Sequence, residues 1–283
     1  MKVLTAALML LCSSVMALTP EPEGRDSVSV RHAQMVYPVV LVAAESGTGS
    51  GTVIYSAQID DEWHNYVLTN HHVVAGNIRI QEVWDSGAAK KVPKETRKPL
   101  EVKWFIYNDF SKPTGNSAKR ARIVAWDKQN DLALLRIDDT EREVSQVAHL
   151  IDRGDPLYLT ERVWAVGAGL GRPPFATSGH VSLVDHVEGG LSWTLMSAPI
   201  IFGNSGGALY RWSPERARYE LVGVPSAVAT AGWATIVQSM GIAIPMERVY
   251  EFLDRNCYGP IVSGELGEDC EALGKAGKKD KDE

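Results

Sequence analysis

Short apolar runs, each cut off by Gly, Pro, Asn or Asp, succeed one another along this 283-residue chain and leave almost no window long enough for a helix. That rhythm constrains it to an all-β fold. The runs cover residues 39–43, 51–56, 66–69, 78–83, 102–107, 122–126 and 132–137, and then 163–166, 176–187, 193–197, 207–210, 221–228 and 241–244. About twelve strands over this length suit two six-stranded antiparallel β-barrels packed together. The joint falls near residues 138–160, where the pattern lapses into charge. One segment reads as a helix. Met246–Arg255 places Val249, Phe252 and Leu253 on one face and Glu247, Glu251 and Asp254 elsewhere, and Pro245 suits a helix start. This C-terminal helix closes the fold.

With 45% hydrophobic and 23% charged residues, the composition is that of an ordinary globular protein. A net charge of -6 argues against nucleic-acid binding as its main business, because phosphate needs a net basic face. Residues 86–121 do gather nine Lys and Arg, from Lys90 to Arg120, around Trp104-Phe105-Ile106-Tyr107. The preferred reading is a solvated insertion whose aromatic strand packs on a barrel, since charge runs are usually just wet.

The apolar run 3–18 follows Lys2 and ends near Val15-Met16-Ala17, so residues 1–17 read as a secretory signal peptide and the protein as exported, periplasmic or secreted. An uncleaved membrane anchor is the alternative, although the run is short against the roughly 20 residues a spanning helix needs. After cleavage no stable membrane insertion is expected. Residues 18–35, opening with a Pro and Glu stretch, read as a linker, and 256–283 as a tail, partly disordered. Cys257 and Cys270 both lie in that tail, as a disulfide or as two thiols, and no histidine stands near them to suggest zinc.

Chemistry concentrates at Gly203-Asn204-Ser205-Gly206-Gly207. This also satisfies the G-x-S-x-G pattern of the α/β-hydrolase nucleophile elbow, so the pattern alone names no fold. Chain order does: an α/β-hydrolase needs a histidine after the serine, and all seven histidines precede Ser205. The order left is His, Asp, Ser. Leu68-Thr69-Asn70-His71-His72 ends a strand with histidine, and Asn130-Asp131-Leu132-Ala133 opens one with aspartate. Each is a weak signal alone, and together in this order they are strong.

These segments resemble the HtrA/Deg-type branch of the trypsin-like serine proteases over roughly residues 36–250. Gly47-Thr48-Gly49-Ser50-Gly51-Thr52-Val53-Ile54 is similar to the family's glycine-rich strand before the histidine. Thr69 to Val74 matches its Thr-Asn-x-His-Val-Val motif, which selects His72 over His71. Ala165-Val166-Gly167, Thr177-Ser178-Gly179-His180-Val181-Ser182 and Gly241-Ile242-Ala243-Ile244-Pro245 resemble later strands of the family in the right order. The chain departs in a long His72 to Asp131 interval, 131 − 72 = 59 residues, and no PDZ domain is expected after the core.

The resemblance implies a trypsin-like protease domain at 36–255, with the basic insertion at about 86–121, that hydrolyses protein or peptide substrates without cofactor or metal. Its nucleophile is Ser205, its base His72, and Asp131 orients the base. The turn Gly203, Asn204, Ser205 forms the oxyanion hole, the N–H groups of Gly203 and Ser205 being the donors. Asn204 stands where trypsin-type enzymes carry the aspartate that captures a freed N-terminus, so no such activation is expected. Pro199 and Ile200 before the serine, and Val224, Pro225 and Ser226 after it, wall a substrate pocket. Those segments carry no charge, which predicts cleavage after small or medium aliphatic residues. A silent binding module on the same fold and an esterase using the same three residues stay open, as does oligomeric state.

Overall fold

The structure, a computed structural model, describes residues 18–24, 27–231 and 235–263. The expected signal peptide at 1–17 and most of the tail, with Cys270, lie outside the described residues. Fourteen strands run in chain order: β1 (Val39–Ala44), β2 (Gly47–Ile59), β3 (Glu62–Thr69), β4 (Ile78–Asp85), β5 (Lys90–Arg97), β6 (Leu100–Asn108), β7 (Lys112–Asp127), β8 (Leu132–Ile137), β9 (Arg162–Gly167), β10 (Phe175–Glu188), β11 (Leu191–Met196), β12 (Ala208–Ser213), β13 (Arg218–Ala231) and β14 (Thr235–Pro245). Two closed six-stranded barrels result, ordered β1-β2-β3-β8-β7-β6 and β10-β11-β14-β13-β12-β9. Their ladders are antiparallel throughout.

Side-chain alternation explains how the barrels meet. β8 reads Leu-Ala-Leu-Leu-Arg-Ile with no exposed residue. Ala133, Leu135 and Ile137 fill the first barrel with Val40, Val42, Val53 and Val67, while Leu132 and Leu134 point outward and join the second core with Tyr66, Val166 and Leu209. Successive residues face opposite ways along a strand, so one strand serves both cores. Asp131 begins this seam.

The helix Met246–Arg255 forms over its expected span, with Pro245 at its N-cap and Met246, Val249, Tyr250, Phe252 and Leu253 buried. Arg248 is buried beside them. Among the described residues no helix is long and apolar enough to cross a membrane.

The basic stretch is built into strands. β4 and β5 form a two-stranded arm outside both barrels, and β6 and β7 run past the first barrel as a long hairpin. Arg97 fastens the arm by donating to the carbonyls of Ile123 (3.0 Å) and Val124 (2.7 Å). The segment ahead of β1 lies on the second barrel. Residues 27–36 coil into one α-helical and one π-helical turn, and Glu21 accepts from Trp164 Nε1 (3.1 Å) and the Tyr219 hydroxyl (2.9 Å).

Candidate active site

β3 delivers the histidine. Asn70 is still extended (φ -82, ψ 149), and the chain then turns helical over His71–Val74, lifting His72 to the mouth between the barrels. Asp131 arrives from the turn before β8 with φ 53, a left-handed conformation that aspartate tolerates better than most residues. Asp127 holds that turn by accepting from the Asn130 N–H (2.9 Å) and Nδ2 (2.7 Å), and Asn70 Nδ2 donates to the Asp131 carbonyl (2.9 Å). From behind, Arg248 donates to Asn130 Oδ1 (3.1 Å), the Asn130 carbonyl (3.0 Å) and the Ser192 carbonyl (3.0 Å). Its guanidinium also lies 4.5 Å from the centre of the Trp193 ring.

His72 and Asp131 meet closely. The ring Nδ1 stands 2.8 Å from Oδ2 and 3.0 Å from Oδ1, and the His72 backbone N–H donates to Oδ1 at 3.0 Å. Ser226 Oγ donates to Oδ2 at 2.7 Å. Burial pushes the Asp131 carboxyl up, but the His72 hydrogen bond and charge, the Ser226 hydroxyl and the His72 N–H outweigh it and hold the group below the usual carboxylate range. An ionised carboxylate accepts the hydrogen bond from Nδ1–H, which fixes the proton on that nitrogen and leaves Nε2 of a neutral ring as the acceptor.

The serine turn needs its glycines at two places. Gly203 has φ 94, and a Cβ there would stand 2.8 Å from the Leu170 nitrogen. Gly206 has φ 82, and its Cβ would stand 2.3 Å from both the Ser50 carbonyl oxygen and Thr69 Oγ1. Ser50 ties the turn to the first barrel: its N–H donates to the Ser205 carbonyl (2.8 Å) and its hydroxyl to the Gly203 carbonyl (2.6 Å).

The Leu170 N–H donates to the Phe202 carbonyl at 2.8 Å. In a trans peptide the N–H points opposite to the C=O, so this bond aims the Gly203 N–H away from Leu170. Among the described hydrogen bonds none uses the N–H of Gly203 or of Ser205. Asn204 differs from the expectation that grouped it with them. Its backbone N–H is spent on the Ile201 carbonyl (3.0 Å), which is what closes the turn, so its backbone offers no donor to an oxyanion.

Ser205, Gly203 and His72 line one cleft of about 270 Å³ with Val73, Phe202 and the turn 46–48. The Ser205 hydroxyl donates to the Ser226 carbonyl at 3.0 Å rather than to His72. Ser226 sits at a register break in the β13–β14 ladder, between Pro225 and Ala227. Such a bulge frees a residue from ladder pairing and re-aims it, here giving the hydroxyl to Asp131 and the carbonyl to Ser205.

Sequence reasoning assigned Ser226 to the pocket wall and missed its bond to Asp131. Of the other wall residues, Val224 is fully buried and Ile200 is 5% exposed, both packed in the second core. The carbonyl of Pro199 accepts from Thr177 Oγ1 (2.6 Å) and that of Pro225 from the Gly206 N–H (2.9 Å). Arg248 and Leu170 were not anticipated.

The profile of the trypsin-like peptidase domain family matches residues 49–217. The chain is 28% identical over 225 residues to the Do-like serine protease HtrA of Lactococcus lactis subsp. lactis, covering 74% of this chain and 45% of that protein. The homologue from subsp. cremoris gives the same figures. The chain thus spans less than half the length of these curated relatives. Among solved structures, the serine endoprotease from Yersinia pestis has a TM-score of 0.55 at 20% identity, covering 85% of this chain and 68% of that one. The HtrA-type protease AlgW with tripeptide has a TM-score of 0.55 at 22% identity, covering 85% and 65%. At those identities the two structures speak to fold alone, which this chain shares with them. By its fold and by the profile match, this chain belongs to the trypsin-like peptidase domain family.

Proposed function

We propose that this protein is a serine-type endopeptidase in which His72, Asp131 and Ser205 act together and the N–H groups of Gly203 and Ser205 receive the oxyanion. The observation that carries the reading is the His72–Asp131 pair at 2.8 Å sharing one cleft with Ser205 and a turn whose two N–H groups are unspent. A neutral serine hydroxyl is a poor nucleophile, so Nε2 takes its proton as Oγ bonds to the scissile carbon. Negative charge grows on the carbonyl oxygen and meets N–H donors already in place, an arrangement whose single donors are worth about 3 kcal/mol. His72 then gives the proton to the leaving amine, and water repeats the cycle on the acyl-enzyme.

Ser205 Oγ must swing from the Ser226 carbonyl to Nε2, a rotation about one side-chain bond that is fast on the timescale of turnover. Hydrogen bonds of this kind often tighten only when substrate binds. The uncharged segments 197–200 and 222–228 support cleavage after small or medium aliphatic residues. Asn204, neutral and 1% exposed, offers no carboxylate to a new N-terminus and supports a site that needs no such capture. Export from the cytoplasm belongs to the same reading, resting on residues 1–17.

A fluorophosphonate probe should label the native protein and not Ser205→Ala, and only the native protein should degrade an unfolded polypeptide. Absence of labelling would favour a silent binding module, and ester turnover without proteolysis an esterase. Strict cleavage of a peptide library after Arg would refute the aliphatic preference.

A further inference from the structure

The arm formed by β4 and β5 stands outside both barrels, yet it grips the end of β7 at several points. Arg97 donates to the carbonyls of Ile123 (3.0 Å) and Val124 (2.7 Å), and Val124 sits at a register break that frees it from the β7–β8 ladder. Two residues on, the indole N–H of Trp126 donates to Glu95 Oε1 at 2.9 Å, and Arg97 Nε donates to that same oxygen. The arm thus holds β7 by its backbone and by one side chain.

Trp126 in turn meets the turn that carries the base. Its ring centre lies 5.2 Å from that of His71, with the two planes inclined at 33°. His71–Val74 is a single helical turn, too short to hold its own shape, and Asn70 gives it no side-chain cap. Its geometry therefore comes from what packs on it. Val73 and Val74 seat it in the first core, and the His71–Trp126 contact braces its start, one residue before His72. The residue after Trp126 is Asp127, whose bonds to Asn130 hold the turn that presents Asp131. Trp126 thus stands between the supports of both members of the His72–Asp131 pair.

We propose that Trp126 is a positioning residue for the reaction: braced by Glu95 and Arg97 of the arm, its ring holds His71 and so sets the spacing of His72 from Asp131. The inference rests on the endopeptidase reading and adds how the base of that site is held. It also gives the inserted arm a task, since the hydrogen bond from the indole to a carboxylate is of the strong, charge-assisted kind. A displacement of about 1 Å in a catalytic group costs on the order of a hundredfold in rate. A ring fixed at both its face and its N–H resists such a displacement.

The test is steady-state peptide hydrolysis, with kcat expressed per serine labelled by a fluorophosphonate carried to completion, so that unfolded molecules are not counted. Trp126→Ala should lower kcat at least tenfold and leave KM within about twofold, because the substrate's own contacts are untouched. Trp126→Phe keeps a ring against His71 but loses the N–H, and should cost about threefold in kcat. Glu95→Ala removes the same hydrogen bond from its other end and should cost about the same. The double variant should then be no slower than either single one, since both delete one interaction. Glu95→Gln still offers the indole an acceptor and should recover most of the loss. Trp84→Ala, near the tip of the same arm and 66% exposed, should keep native kcat. If Trp126→Ala fails to fold, the Trp126→Phe and Glu95 variants decide the matter. Native kcat in them, losses that multiply in the double variant, a loss carried by KM, or an equal loss in Trp84→Ala would overturn the positioning role while leaving the endopeptidase reading intact. A native protein that neither labels nor cleaves would overturn both.

Discussion

Arg248 offers the sharpest test of how the two barrels are joined around Asp131. Its side chain is buried at 6% exposure, yet its donors go to Asn130 Oδ1, the Asn130 carbonyl and the Ser192 carbonyl rather than to a carboxylate. Burial pushes this guanidinium below its ordinary pKa, and the more distant Asp127, Asp131 and Glu251 offset that only in part. In Arg248→Met the volume is roughly kept and three acceptors are orphaned, at about 1–3 kcal/mol each. Contact of the cation with Trp193 is lost too, worth about 0.5–2 kcal/mol. Against this, the variant no longer desolvates a cation, a relief of several kcal/mol. The balance is a loss of about 2–4 kcal/mol, read as a lower urea midpoint at unchanged m-value. Activity should fall more specifically. Asn130 precedes Asp131, whose left-handed φ of 53 depends on that turn, so kcat should drop about tenfold, equivalent to about 1.4 kcal/mol, with KM little changed. Arg248→Lys, which keeps the charge but not the three-way fork, should fall between. A Met variant with native stability and full kcat would refute the clamp.

Gly206→Ala should destabilise by about 2–4 kcal/mol, combining the cost of a side chain at φ 82 with overlap on Ser50 and Thr69; native stability would mean the turn can relax. Ser226→Ala removes a charge-assisted bond to Asp131 and should lower kcat about tenfold in steady-state assays. Because the Asp131 carboxyl is held low, its contribution to stability is full above the ordinary carboxylate range of about 4 and is lost as pH falls below it. The alanine variant should lose that contribution at a higher pH, seen as an earlier acid transition. Burial also pushes the imidazoles of His32, His71 and His149 below their usual pKa. For these bases the unfolded chain binds protons first, so stability should fall as pH drops through about 6.5. His32→Phe keeps the packing against Tyr37, Tyr107 and Phe110 and should flatten that slope; an unchanged slope would exclude His32 from it.

The barrels were legible because their strands carry the signal that burial imposes. β8 shows it best, an unbroken apolar run whose alternate residues feed two cores. β5 was invisible for the opposite reason. Lys-Lys-Val-Pro-Lys-Glu-Thr-Arg has no apolar alternation and holds as a strand through its pairing with β4 and the side-chain bonds of Glu95 and Arg97 to β7. The turns at 27–36 were missed likewise, since their short Val-spaced run has no helical period and is shaped by contact with the second barrel.

The site divides along the same line. His72, Asp131 and Ser205 each sit at the end of a strand or in a glycine turn, where local sequence dictates the backbone, and their order along the chain excluded the rival fold. The groups that support them depend on register. Ser226 reaches Asp131 across 95 residues because the ladder breaks at Pro225, and no residue type announces that break. Had β13 continued without it, the alternation of side chains would have turned the Ser226 hydroxyl and carbonyl elsewhere. One displaced residue thus connects the aspartate, through its hydroxyl, to the serine, through its carbonyl. That pair of hydrogen bonds makes a further demand: restoring regular pairing at 225–227, by deleting one residue there, should release Asp131 and Ser205 together, whereas Ser226→Ala should release only Asp131.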